Sequence, residues 1–178
     1  MKPLHLTFKD QEWPYKTLDH QRQIVRAIVV DNQGYYHFVH LERDDDFGIA
    51  SLIETAGGGI ERGETHESAL YRELKEELGV SVEILTKLGI VEDAYNLIKR
   101  HNINHYYLCR IVKEGAPNLT EAEKNDFGLT QVKLSYSQAH QAYLDNKRYP
   151  LGRLVTQREL PILEAAKAYL DSCSLGEL

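Results

Sequence analysis

Glu73, Glu76 and Glu77 are the residues whose types and spacing first suggest chemistry. At about 100° per helical residue the three carboxylates fall within an arc of roughly 100° on one face. Leu70, Leu74 and Leu78 form an adjoining apolar stripe, which sets the acids at the border of the buried face. Like charges at this spacing repel, and a helix chosen for stability would interleave lysines. A hard divalent cation relieves the repulsion, because oxygen ligands with room for water suit magnesium or manganese. For three glutamates alone, a solvated acidic face is the simpler explanation. The upstream run Gly57-Gly58-Gly59 adds weight to the metal: glycines permit positive φ and let backbone approach a ligand, although such a run by itself is more often a plain turn.

The elements that must position these residues are legible as a mixed series. β-Branched runs at 24–30 and 35–41, joined across Asp31-Asn32-Gln33-Gly34, predict a hairpin, and 50–55 a further short strand. Thr65 is a helix cap, the helix runs to Leu78, and Gly79 stops it. Strands are expected at 81–91, 104–112 and 129–134, with a polar loop over 113–128. Helices are expected at 135–146 and 156–170, the latter opened by the capping-box pair Thr156 and Glu159 and bent in its first turn by Pro161. This order predicts one domain over 1–178, an α/β sandwich with a mixed sheet, flanked by an N-terminal extension over 1–23 and a frayed tail over 172–178.

The whole chain has 178 residues, 42% hydrophobic and 27% charged, which fits a soluble globular protein with its own core. A net charge of -6 argues against a nucleic-acid polymer as partner and would repel a small anion unless a bound cation inverted the local charge. Cys109 and Cys173 form no C-x-x-C pair, and the eight histidines stand in no zinc-type frame. The start is too polar for a signal peptide and no apolar run is long enough to span a membrane, so a cytoplasmic location is expected. Trp13, Pro14 and Tyr15 offer a packing surface for a second copy, as in a homodimer.

Residues Gly58 to Val80 follow the pattern Gly-x5-Glu-x7-Arg-Glu-U-x-Glu-Glu-x-Gly-U, with U aliphatic, at every specified position. A chance match has odds on the order of one in 10⁹ per starting position. The segment resembles the Nudix box of the MutT-like hydrolases. The resemblance implies an α/β/α sandwich carrying the box as loop-helix-loop. It also implies hydrolysis, with Mg2+ or Mn2+, of a nucleoside diphosphate linked to another moiety, such as ADP-ribose or a nucleotide sugar. Carried over, Glu73, Glu76 and Glu77 hold metal with the carbonyl near Gly58, Glu64 and Arg72 brace the box, and Glu76 or Glu77 orients or deprotonates water.

Family members often keep the catalytic base on a loop before a late strand, and Glu123 is preferred here over Glu121 and Asp126. Arg43, Lys99 and Arg100 are the expected phosphate ligands; of Tyr35, Tyr36, Tyr106 and Tyr107, half are expected in the core. Ala56 departs from the proline many relatives carry. Glu54 resembles a glutamate of ADP-ribose pyrophosphatases that assists metal and substrate binding, whereas Tyr95 resembles a feature of some dinucleoside polyphosphate hydrolases. Two alternatives stand beside the main expectation: a house-cleaning hydrolase of modified nucleoside triphosphates, and a nucleotide-sensing domain without turnover. The complete carboxylate set counts against the second.

Overall fold

Asp31 shapes the expected hairpin: its Oδ1 accepts the backbone N–H of Gln33 at 2.8 Å and of Tyr35 at 3.0 Å, and Gly34 takes φ 83°. The structure, a computed structural model, describes residues 2–175. Its strands are β1 (Leu4–Thr7), β2 (His20–Val30), β3 (Tyr36–Asp45), β4 (Gly48–Glu54), β5 (Ala56–Gly59), β6 (Val80–Tyr95), β7 (Arg100–Glu114) and β8 (Thr130–Leu134). Its α-helices are α1 (His66–Leu78), α2 (Glu121–Asn125), α3 (Tyr136–Asn146) and α4 (Pro150–Leu175).

The sheet runs β1-β6-β7-β2-β3-β4, with β5 also on β2 and β8 also on β3. β1 is parallel to β6 and β2 to β7 while the other pairs are antiparallel, so the expected mixed sheet is present. Helices cover both faces. Neighbouring residues of β7 point to opposite sides: Tyr106 bonds Glu159 of α4, whereas Tyr107 bonds His66 of α1. Burial on both faces puts Tyr36, Tyr106 and Tyr107 in the core, one more of the four tyrosines than expected, leaving Tyr35 exposed.

Several elements differ from expectation. The triple glycine is no turn: β5 pairs antiparallel with β2, Gly58 opposite Val25, and a Cβ on Gly57 would lie 2.1 Å from the Val25 carbonyl oxygen. The N-terminal extension contributes β1, and Trp13 packs edge-on against Phe47 of the same chain at 5.3 Å. α4 starts at Pro150, where a missing N–H costs nothing. Thr156 is therefore interior to the helix, its hydroxyl donating to the Tyr143 carbonyl at 2.7 Å. α4 continues to Leu175, so the tail expected over 172–178 lies partly outside the described residues.

Candidate active site

β2 and β3 pair only beside their turn, at Val29–His37 and Val30–Tyr36, and then separate. Ile24 and Arg26 on one strand, with Val39, Leu41 and Arg43 on the other, line a cleft of about 270 Å3. α1 closes one side. Its start is fixed by Thr65, whose side chain accepts the Ser68 N–H, and its end by Gly79 at φ 71°, whose N–H reaches Leu74 and Lys75. With Ala69, Leu70, Leu74 and Leu78 buried, Glu73 and Glu77 are carried down to the cleft.

Arg72 braces the box. Its Nε and Nη2 grip Glu64 at 2.7 and 2.9 Å, Nη1 reaches Glu73 at 2.6 Å and Glu76 at 3.3 Å, and Nη2 donates to the Gly59 carbonyl at 3.1 Å. The guanidinium holds the Glu64 carboxyl down to about 2. Glu77 accepts the Gly57 N–H at 2.8 Å; burial foremost, aided by Glu73, pushes its carboxyl up to about 8. Burial also raises Glu73, against the opposing pull of Arg72.

Gly58 is needed for space: a Cβ there would stand 2.5 Å from Glu73 Oε1. Glu123 enters the same cleft from α2, a helix within the expected loop; Thr120 caps it, and Glu123 Oε2 accepts the Thr120 N–H at 2.6 Å and hydroxyl at 2.9 Å. Thr120 and Glu123 have capping-box spacing, a signal the sequence carried.

Of the other expected residues, Glu73, Glu77, Gly58, Glu123, Arg43, Arg100 and Glu54 line the cleft. Glu76 is turned to Arg72, half-buried and outside it. Lys99 stands apart, 3.8 Å from Asp19. Arg43 is tied to Asp45 at 2.5 Å and lies over Phe127 at 4.8 Å. Glu54 is held by Arg26 at 2.8 Å and by Arg158 of α4 at 2.6 Å. Tyr95 is buried beneath Arg100, whose guanidinium lies 5.4 Å from its ring, and its hydroxyl accepts from Arg158. Glu121 and Asp126 are outside the cleft, though Asp126 lines a wider depression of about 900 Å3 that shares Arg43 and Phe127 and includes none of the box residues.

Sequence reasoning missed Arg22, Arg26 and Arg158. For Arg26 a signal existed, a lone charge within the apolar run 24–30.

The donors gathered here are carboxylates and a glycine backbone, an all-oxygen set that fits a hard divalent cation, and the missing Cβ of Gly58 leaves the Glu73 carboxylate its place beside that backbone. Among the described residues no three acidic, His or Cys side chains already stand as a ligand cluster, since Arg72 engages both Glu73 and Glu76.

The NUDIX domain family model matches residues 20–154, and the chain belongs to that family. Nudix hydrolases are generally pyrophosphohydrolases. The chain is 42% identical over 65 residues to a protein of Enterobacter sp. (strain 638) named nucleoside triphosphatase NudI, a match covering 36% of this chain and 44% of that one. The chain thus spans less than half the length of that relative.

Among solved structures it is similar to a NUDIX hydrolase from Nitrosomonas europaea (TM-score 0.58, 16% identity, 85% of this chain and 89% of that one). It is also similar to the E. coli ORF135 protein (0.55, 23%, 83% and 89%) and to a MutT NUDIX hydrolase from Burkholderia pseudomallei (0.55, 19%, 78% and 98%). At these identities the likeness is one of fold. No helix among the described residues is long and apolar enough to cross a membrane.

Proposed function

We propose that the chain is a divalent-metal-dependent pyrophosphohydrolase. It cleaves the diphosphate linkage of a nucleoside diphosphate joined to another moiety, such as ADP-ribose or a nucleotide sugar, by attack of water at phosphorus. The observation that carries this is the convergence of Glu73 and Glu77 from α1 with Glu123 from α2 in one cleft, against the backbone of Gly57 and Gly58. Glu73, Glu76, Glu77 and the Gly58 carbonyl would hold Mg2+ or Mn2+. The bound cation neutralises diphosphate charge and lowers the pKa of the attacking water.

The chain's own residues do the rest. Arg72 keeps the box carboxylates gathered. Glu76 or Glu77 orients the water. Glu123 takes its proton, for which Oε1 is suited: only Oε2 is engaged in capping among the described residues. Of the three expected phosphate ligands Arg100 is best placed, because Arg43 is neutralised by Asp45 and Lys99 lies outside the cleft. Glu54, committed to Arg26 and Arg158, acts through those arginines rather than on a ligand directly.

A second reading, hydrolysis of nucleoside triphosphates, is favoured by the likeness to the Enterobacter protein named a nucleoside triphosphatase. The test is a panel of nucleotide sugars, dinucleotides and nucleoside triphosphates with Mg2+ or Mn2+ and product identification. Release of a phosphate-containing product is expected, and none from any member overturns the proposal.

A further inference from the structure

The last turn of any α-helix ends on backbone carbonyls that have no partner within the helix. In α1 the Gly79 N–H serves those of Leu74 and Lys75. The next two, of Glu76 and Glu77, are both taken by the segment that brings Glu123 to the cleft. The Asn118 N–H donates to the Glu76 carbonyl at 2.8 Å, and Gln131 Nε2 donates to the Glu77 carbonyl at 2.7 Å. Asn118 precedes α2 and Gln131 follows it, so the segment is fastened to α1 at both ends.

The fastening is close. A Cβ on Gly79 would lie 2.6 Å from the Pro117 nitrogen, so the chain entering the segment passes the end of α1 where only glycine leaves room. On the way out, the Leu129 N–H donates to the Glu123 carbonyl at 2.9 Å, and the Phe127 carbonyl accepts the Glu42 N–H at 2.9 Å. Gln131 lies opposite Val39 of β3, and Val39 lines the cleft, so the glutamine side chain stands on the cleft's side of the sheet.

Glu77 thus holds two posts. Its carboxylate accepts the Gly57 N–H within the cleft, and its carbonyl anchors the segment that carries Glu123. α2 has five residues, none of them buried, so packing does little to place Glu123. Its position comes from the fastenings, and of the two to α1 the one at Gln131 is made by a side chain.

We propose that Gln131 is a positioning residue: its amide fixes Glu123 relative to Glu77, and so sets the reach of the Glu123 carboxylate toward the attacking water. This rests on the hydrolase reading above. Losing the amide removes no group that touches substrate; it loosens α2 against α1, so the cost falls on kcat rather than on KM. A helix cap serving stability alone would act the same whether or not Glu123 is present.

The test uses the full chain with Mg2+ and ADP-ribose, or ATP if only that is hydrolysed. Gln131→Met keeps the side-chain length and removes the donor. Gln131→Lys restores a donor of similar reach, with a charge that the C-terminal end of a helix favours. Gln131→Met should lower kcat about tenfold and change KM less than about twofold, and Gln131→Lys should recover most of the loss. In a Glu123→Gln background Gln131→Met should leave kcat within about twofold, because the base it positions is gone.

An unchanged kcat in Gln131→Met, no recovery in Gln131→Lys, or the same fold loss in both backgrounds overturns the proposal, while wild-type turnover leaves the hydrolase reading standing. If wild type hydrolyses neither substrate, that result counts against the hydrolase reading, and amide exchange decides the fastening. Exchange at Asn118 and Leu129 that is about three- to tenfold faster in Gln131→Met supports it, and unchanged exchange overturns it.

Discussion

Arg158 Nη2 donates to Glu54 Oε1 at 2.6 Å, joining the C-terminal helix to the cleft wall. The same guanidinium serves Tyr106, Tyr95, Asp93 and Glu159, and it is fully buried. Removing it leaves Glu54, Asp93 and Glu159 with Arg26 as the one remaining guanidinium, among the described residues, in contact with the group. Breaking a buried ion network from one side costs about 3–5 kcal/mol. Arg158→Met should lose stability on that scale in urea titration, and Arg158→Lys should recover little, because an ammonium cannot reproduce five fixed donors. A loss below about 1 kcal/mol would show that the network is structurally dispensable.

Glu77→Gln separates chemistry from folding. The amide oxygen can still accept the Gly57 N–H, and a neutral group suits the buried position at least as well as a carboxylate. Melting temperature should hold or rise while kcat/KM falls by about two orders of magnitude or more. Near-normal turnover would remove Glu77 from the metal site.

What was legible in the sequence was local. α1 declares itself by Thr65, the leucine stripe and Gly79, all within one stretch of chain. β5 was hidden because three glycines carry no side-chain pattern; they form a strand only when β2 supplies its edge at a distance no Cβ would permit. Thr156 and Glu159 had capping-box spacing, but distant partners decided their roles: Glu159 accepts the Thr55 N–H at 2.8 Å and hydroxyl at 2.6 Å. Likewise the carboxylates of the box were readable, whereas the pairing of Glu54 with Arg26 and Arg158 required β2, β4 and α4 to meet.

His105 gives a pH dependence. It is buried, its Nε2 bonded to Gln23 at 2.8 Å, with the His66 ring 4.1 Å away and Lys87 adding positive potential. Burial, then those two groups, lowers the imidazole from 6.5 to about 4. Between those values the unfolded chain binds the proton and the folded one does not, so His105 stabilises the fold above pH 6.5 and this contribution is lost as pH falls toward 4. Over that window wild type should lose stability faster than His105→Gln. Parallel curves for the two proteins would refute the assignment.

Gly58 and Gly63 make a matched pair within the box. A Cβ at Gly58 meets Glu73 Oε1 at 2.5 Å, but a carboxylate is the far end of a flexible side chain and can swing away. Gly58→Ala should therefore melt close to wild type and yet lose activity by tenfold or more, on the order expected when a ligand is displaced from its place. Gly63 has φ +89° with open space around it, so alanine there meets no neighbour but pays backbone strain of about 1–2 kcal/mol. Gly63→Ala should accordingly lower the melting temperature and largely keep turnover at temperatures where it is folded. Thermal melts and kcat/KM on both variants decide the matter. If Gly58→Ala retains activity, the Glu73 carboxylate does not need the position it holds against the glycine backbone, and its assignment as a metal ligand falls.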